Sequence, residues 1–264
     1  MIDAQAELVA HWMLVGFVHG VLNTDNVTIS GEGIDYGPCA FIDRFDPTSV
    51  FSSIDHGGRY AYRNQPGITL WNLSRFAETL LPLIDADIDT AVSVATDALH
   101  TFEGIYQQKW RAGMAAKLGL DASASDRDPD LFDDYLALLH ELDADYTSSF
   151  VFLADHLRNQ ESANDSALAG SAMFDAWQAR WRNLIAGTDV RSVADRMDEV
   201  NPRFIPRNHL VERALDAATE GDLTPFGELL DVVTRPFETR NGLEAFAAPA
   251  PAEFADTFQT FCGT

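Results

Sequence analysis

His19-Gly20-Val21-Leu22-Asn23-Thr24-Asp25-Asn26, continuing through Val27-Thr28-Ile29-Ser30 and Gly31-Glu32-Gly33 to Ile34-Asp35-Tyr36-Gly37, decides the reading of this chain. Physically it is a loop, a short hairpin and a second loop. Val27 to Ser30 has strand-forming alternation, Gly31 to Gly33 supplies the turn, and Ile34-Asp35 returns. A fold near Ser30 and Gly31 places Asn26 and Asp35 roughly opposite one another, with Cβ atoms about 5 Å apart. An amide oxygen and a carboxylate at that separation can share one hard cation such as Mg²⁺, which takes oxygen ligands and keeps several waters and phosphate oxygens.

The spacing matches the metal-binding logic of protein kinases, where H-R-D-x-x-x-x-N is followed by D-F-G and the Asn and second Asp hold the metals. His19 to Asn26 repeats the step of that motif, and Asp35-Tyr36-Gly37 stands where D-F-G belongs. The slot for the kinase base, however, holds Val21, which cannot accept a proton. Asp25 is the nearest carboxylate able to substitute. His19 is expected to support the loop by hydrogen bonding, with direct catalysis as the other reading. Gly20 and Gly37 serve backbone geometry.

The same stretch, with Asp55-His56-Gly57-Gly58-Arg59-Tyr60, Asn64-Gln65-Pro66, Trp71-Asn72-Leu73, Lys117-Leu118-Gly119-Leu120, Asp145-Tyr146-Thr147, Asn201-Pro202-Arg203 and Arg207-Asn208, resembles the selenoprotein O family. The resemblance runs from about Ala6 to Cys262. It implies a pseudokinase fold and a protein adenylyltransferase that moves AMP from ATP to Ser, Thr or Tyr hydroxyls of proteins, with Mg²⁺ or Mn²⁺ as cofactor. In that reading Asp25 is the catalytic base, Asn26 and Asp35 hold the metal, and Asp35 meets ATP through it. Family members often carry selenocysteine or cysteine near the C-terminus, which implies a redox role. Cys262, on a tail expected to be flexible, would then bridge to Cys39 under oxidation. Two independent thiols, with Cys39 buried, are the other reading. A bridge needs Cα atoms within about 7 Å.

The expected fold is mainly α with a small β-hairpin: a protein-kinase-like C-terminal lobe plus a helical C-terminal extension. Residues 1–264 are read as a single domain, with a metal and catalytic-loop region at 1–71 and a helical region at 72–264. Nothing before Ala4 supplies a Gly-rich loop, and neither lysine lies in a strand-like context. The chain is therefore read as the C-terminal half of the family's protein, with the N-terminal nucleotide-binding lobe as its missing partner. A non-catalytic binding or regulatory fragment is the alternative function.

Periodicity predicts helices at Ala4–Phe17, at Leu73–Leu81 with Asn72 as N-cap and Pro82 at the end, and over Asp87–Gly119 as one helix or two. Further helices are predicted at Leu131–Leu142, Tyr146–Leu157, Met173–Ile185, Val190–Met197, from Asn208 or His209 to Thr219, and Pro225–Val233. Asp121–Pro129 and Asn159–Ser166 read as polar loops, and Ala247–Ala252 as extended. The Phe174, Trp177, Trp181 stripe reads as core. Asp43, Asp46 and Asp55 are extra carboxylates near the site, with surface or capping roles expected. Arg59, Tyr60, Tyr62 and Arg63 either meet a protein substrate or phosphate, or lock their own loop. Arg203 and Arg207 read as loop buttresses.

Composition narrows the classes. The chain of 264 residues carries 41 acidic and 18 basic residues, a net charge of −23, which argues against nucleic acid or an anionic membrane as partner. Hydrophobic content of 46% and five Trp argue for a folded chain. The first residues lack a basic n-region and no apolar run reaches membrane-spanning length, so a cytoplasmic protein is expected. Ala144 breaks the H-E-x-x-H zinc pattern begun by His140-Glu141, and no G-x-S-x-G elbow follows His56-Gly57-Gly58.

Overall fold

The computed structural model describes residues 1–121, 123–159 and 167–261. It forms two compact units. The first comprises Met1–Ala40, Pro47–Gly113 and the segment from Gln259; the second comprises Phe41–Asp46 and Met114–Phe258. The fold is mainly helical, with a small two-stranded sheet of β1 (Phe17–Val18) and β2 (Ala40–Phe41). No helix among the described residues is long and apolar enough to cross a membrane.

In the first unit, α1 (Ile2–Val15) buries Ala6, Val9, Ala10, Trp12 and Met13. It stops before the expected Phe17 because Gly16 adopts φ 73° and returns its N–H to the Trp12 carbonyl, a left-handed C-terminal cap. The next two residues are then free to pair as β1. The predicted hairpin is reduced to a tight turn with one antiparallel bridge between Val27 and Gly33. The Thr28 N–H donates to the Glu32 carbonyl at 3.0 Å, and Thr28 Oγ1 accepts the Glu32 N–H at 3.0 Å. The side chain thus does part of what a longer ladder would.

Helix α2 (Gln65–Ile84) begins eight residues before the predicted Leu73; Pro66 occupies its first turn, where a missing N–H costs nothing. Asn72 is therefore no N-cap but a buried residue of the helix interior. Pro82 lies inside the helix near its C-terminal end, where it is exposed and water can satisfy the carbonyl that its ring leaves unbonded. Helix α3 (Ile88–Lys117) is one unbroken helix, and the division between units falls within it after Gly113.

The second unit holds α4 (Ala124–Arg127), α5 (Leu131–Glu141), α6 (Tyr146–Leu157), α7 (Ala172–Leu184), α8 (Val190–Asp198), α9 (Asn208–Thr219), α10 (Thr224–Val233), α11 (Glu244–Ala247) and α12 (Ala252–Ala255). The expected polar loop at 121–129 contains the single turn of α4. Residues 248–251 lie outside helices, with Ala248 and Pro251 extended. Of the expected loop at 159–166, residues 160–166 lie outside the described residues. The aromatic stripe of α7 is core: the Trp177 and Trp181 indoles donate to the Leu131 and Leu118 carbonyls, each at 2.9 Å. A smaller core joins Leu210 and Ala214 of α9 to Leu229 of α10.

Among the described residues of this unit, Arg207 and Lys117 are buried cations. Arg207 bonds Asp43 and Asp145, each at 2.6 Å, and is 1% exposed. Lys117 is 5% exposed with no carboxylate beside it; its Nζ lies 3.9 Å from the centroid of the Phe150 ring. The ring face attracts the ammonium, but desolvation dominates and pushes Lys117 down to about 7. The folded chain therefore binds fewer protons than the unfolded chain between pH 7 and the ordinary lysine value of 10.5, and the lysine's penalty on folding fades as pH rises. Lys117→Met should raise stability at pH 7, and this gain should shrink by roughly 2 kcal/mol by pH 9. Urea denaturation of both proteins at the two pH values checks this; an equal gain at both would contradict it.

Candidate active site

The site is built on irregular backbone in the first unit. Helix α1 and β1 deliver the chain into the loop from His19 to Asn26. Gly20 sits at φ 87°, and a Cβ there would lie 2.3 Å from the Pro38 carbonyl oxygen, so the loop passes Pro38 only with glycine at this position. Gln65, at the start of α2, donates from Nε2 to the Phe17 carbonyl at 2.9 Å and accepts the His19 N–H on Oε1 at 3.0 Å. Asn72, two turns on, donates to the Leu22 carbonyl at 3.0 Å. One face of α2 thus supplies side-chain partners for β1 and for the irregular backbone that follows it.

His19 is fully buried, and its Nε2 lies 2.9 Å from the Ile34 carbonyl oxygen. That bond makes Nε2 the protonated nitrogen of a neutral ring. Burial pushes the imidazole below its ordinary value, more than the Ile34 bond and the Asp35 charge raise it. Trp12 and Tyr36 pack against the ring, with centroids at 5.6 and 5.3 Å. His19 therefore joins the two loops as a support and offers no surface to a substrate.

Asn26 is 6% exposed and closes a short 3₁₀ turn, Thr24–Asn26. Its Nδ2 donates to the Val21 carbonyl at 2.8 Å, and its own carbonyl accepts the Ile34 N–H at 3.1 Å. The first bond fixes the amide so that Oδ1 faces away from Val21, without a protein donor among the described residues. The second brings Asn26 alongside Ile34, one residue before Asp35. Asp35 is exposed at φ 59°, a left-handed conformation uncommon outside glycine and better tolerated by Asp than by most residues. Its carboxylate has no protein partner among the described residues. Asp25 is exposed directly before Asn26.

This donor set, a free amide oxygen and a free carboxylate on adjoining loops, fits a hard divalent cation whose remaining ligands are water and phosphate. Among the described residues no group of three His, Cys, Asp or Glu side chains could hold a metal by itself. The extra carboxylates have other work. Asp43 is paired with Arg207 in the second unit, and Asp46 belongs to that unit as well. Asp55 accepts the backbone N–H groups of Arg59 and Tyr60, both at 2.8 Å. Arg203 meets Asp198 at 3.0 Å, as a buttress.

Cys39 is half-buried, and burial pushes its thiol up. Cys262 lies outside the described residues. The tail before it is held rather than free: Thr260 donates its N–H to the Phe51 carbonyl at 2.8 Å and accepts the Ser53 N–H at 2.9 Å. Thr260 Oγ1 also donates to the Pro38 carbonyl at 2.7 Å, one residue before Cys39.

Residues 1–234 match the family model for protein adenylyltransferase SelO. The chain is 53% identical over 266 residues to the protein nucleotidyltransferase YdiU of Rhodococcus jostii, with 100% of this chain and 51% of that protein aligned. It is 52% identical over 265 residues to YdiU of Mycolicibacterium smegmatis, with 100% and 52% aligned. Against YdiU of Cereibacter sphaeroides (strain ATCC 17029) the identity is 52% over 262 residues, with 99% and 53% aligned. The chain thus spans about half the length of the curated relatives it matches.

Sequence reasoning missed the role of Gln65, whose only signal was a polar residue directly before Pro66 at the mouth of an apolar helix. Gln65→Leu should strand the His19 N–H in a buried position. The expected loss is about 1–3 kcal/mol, one unsatisfied buried group. Chemical denaturation of wild type and variant measures it, and a loss below about 1 kcal/mol would mean that the loop holds itself.

Proposed function

The chain belongs to the SelO protein adenylyltransferase family, and from that premise we propose that, in the whole protein, it supplies the metal-binding and base-bearing part of an AMP transfer from ATP to Ser, Thr or Tyr hydroxyls of proteins. In this reading it is a protein-kinase-like C-terminal lobe, and a nucleotide-binding lobe completes the site. The observation that supports the reading is the backbone bond from the Ile34 N–H to the Asn26 carbonyl, which brings Asn26 alongside the residue before Asp35, with the Asn26 Nδ2 held by Val21.

Asn26 and Asp35 would hold Mg²⁺ or Mn²⁺, which when bound neutralises phosphate charge. Asp25 accepts the proton of the acceptor hydroxyl. The hydroxyl oxygen bonds to the α-phosphorus, the bond to the β-phosphate oxygen breaks, and pyrophosphate leaves. Val21, in the slot of the kinase base, contributes only its carbonyl, which orients Asn26.

Radiolabelled ATP tests the reaction class in the whole protein: label at the α-position should reach protein and label at the γ-position should not. Transfer of the γ-label instead would make it a kinase. Asp35→Ala should abolish transfer and Asn26→Ala weaken it. Asp25→Asn should lower kcat roughly 10²–10⁴-fold, the usual contribution of a general base, with less effect on ATP affinity. Near-normal transfer by Asp35→Ala would remove Asp35 from the site.

The anchoring of Thr260 on Pro38 supports a second part of the proposal, that Cys262 reaches Cys39 and forms a disulfide under oxidation. Non-reducing mass spectrometry of oxidised protein should find a 39–262 cross-linked peptide. Its absence, with both thiols recovered free, would leave two independent cysteines.

A further inference from the structure

Beside the loop that carries Asp25 lies a surface that the reaction chemistry does not use. Trp71 is 41% exposed on α2. The guanidinium of Arg59 lies 4.6 Å from its ring centroid and that of Arg75 lies 5.5 Å away, both within the range of cation–π attraction. Arg59 is presented by a turn that Asp55 fixes through two backbone N–H groups. That arrangement uses the aspartate without neutralising the guanidinium, which makes no ion pair or hydrogen bond among the described residues. Next to Arg59, Tyr60 donates its hydroxyl to Asn23 Oδ1, two residues before Asp25. The aromatic and cationic cluster is therefore tied to the catalytic loop by a side-chain bond.

Arg75 also lines a cavity of about 320 Å³, together with Thr24, Val27, Ile29, Asn72 and Phe76. Thr24 is the immediate neighbour of Asp25. Val27, Ile29 and Phe76 make apolar walls. Asn72, 3% exposed, gives its Nδ2 to the Leu22 carbonyl, while its Oδ1 is buried with no donor among the described residues. A cavity of this size takes a side chain and its adjoining peptide group rather than a folded element. The rim guanidinium, Arg75, is already paired with Glu78 at 2.7 Å, so the open polar group of the cavity is an amide acceptor lacking an N–H, which suits a polypeptide better than a polyphosphate.

We propose that this surface, Arg59–Trp71–Arg75 with its cavity, docks the acceptor polypeptide and selects hydroxyls flanked by carboxylates, with a neighbouring apolar side chain seated against Val27, Ile29 and Phe76. The inference rests on the adenylyl-transfer reading above. Charge complementarity identifies the occupant. In a chain with 41 acidic residues and 18 basic ones, a guanidinium without a carboxylate is left beside the catalytic loop. Beyond about 8 Å the net charge of the rest is screened at physiological salt, so the local pair decides what lies across it. Trp and Arg are also the side chains that most often dominate protein–protein recognition.

The test uses the whole protein, α-labelled ATP and two synthetic peptides, Asp-Asp-Leu-Ser-Leu-Asp-Asp and its counterpart with Lys at each Asp. Wild type should prefer the acidic peptide. Arg59→Glu should raise KM for that peptide roughly tenfold and lower it for the lysine peptide, so that the preference reverses. Arg191→Glu, the same charge change at an exposed arginine of α8, should leave the preference as it was. Trp71→Ala should raise KM for both peptides. If wild type labels peptide or protein and Arg59→Glu retains the acidic preference, the docking surface is refuted while the reaction stands. A rise in KM for Mg·ATP alone would assign Arg59 to the nucleotide and refute it equally. If wild type transfers no AMP to any acceptor, the reaction itself is wrong and the docking proposal falls with it.

Discussion

From Phe17 to Leu22 the chain is largely buried and, past the two residues of β1, forms no regular structure, so its backbone polar groups must find partners beyond a ladder or a helix. The molecule meets this with side chains. Gln65 takes Phe17 and His19, Asn72 takes Leu22, Asn26 takes Val21, and His19 reaches across to Ile34. Each carries an amide or imidazole that bonds a peptide group without adding charge to a low-dielectric interior, where an unpaired charge would cost several kcal/mol. The regular helices α1 and α2 act as the frame from which these side chains extend.

The second unit meets a related constraint with charge. Arg207 lies between Asp43 and Asp145, and its Nη2 also donates to the Ala247 carbonyl. Burial pushes Asp43 up against the pull of Arg207, so the pair is retained at a desolvation cost. A buried ion pair of this kind adds little net stability but is expensive to break, because removing one partner leaves the other uncompensated. Its consequence is positional: one guanidinium joins the 41–46 segment, the N-terminus of α6, the start of α9 and the end of α11. Arginine suits this role because its planar fork bonds several acceptors at fixed angles. The buried lysine, Lys117, by contrast faces aromatic rings.

How far the sequence carried the reading follows from the range of the interactions. Helices α5 to α10 announce themselves by local apolar periodicity, and their observed bounds lie within a residue or two of those predicted. Asn72 was misread because an asparagine before an apolar run has the local signature of a cap. Only the distant carbonyl of Leu22, 50 residues away, gives it another task. Pro82 was misread as a stop for the converse reason: near an exposed helix end the lost bond goes to water. The hairpin was overestimated because alternation at Val27 to Ser30 says nothing about whether a partner strand exists. Asn26 and Asp35 were legible as a pair because a short turn joins them. Their supports were not, since Gln65 and Asn72 reach the loop only through the tertiary fold.

A division of labour is visible in the exposure of these residues. Asp25 and Asp35 are exposed and without a hydrogen-bond or ion-pair partner among the described residues, whereas His19, Gln65 and Asn72 are buried and each bonded to backbone, with His19 Nδ1 and Asn72 Oδ1 unpartnered among those residues. The left-handed backbone of Asp35 belongs to the same pattern. A non-glycine residue persists there only when its flanks fix it. Ile34 on one side is held by both Asn26 and His19, and the Cys39 N–H closes a turn onto the Tyr36 carbonyl on the other. Conformational cost at one carboxylate is thus offset by hydrogen bonds made by its neighbours. The carboxylate is left, among the described residues, with no hydrogen bond to break before it can take up a ligand, a freedom that suits the metal-holding role proposed for it.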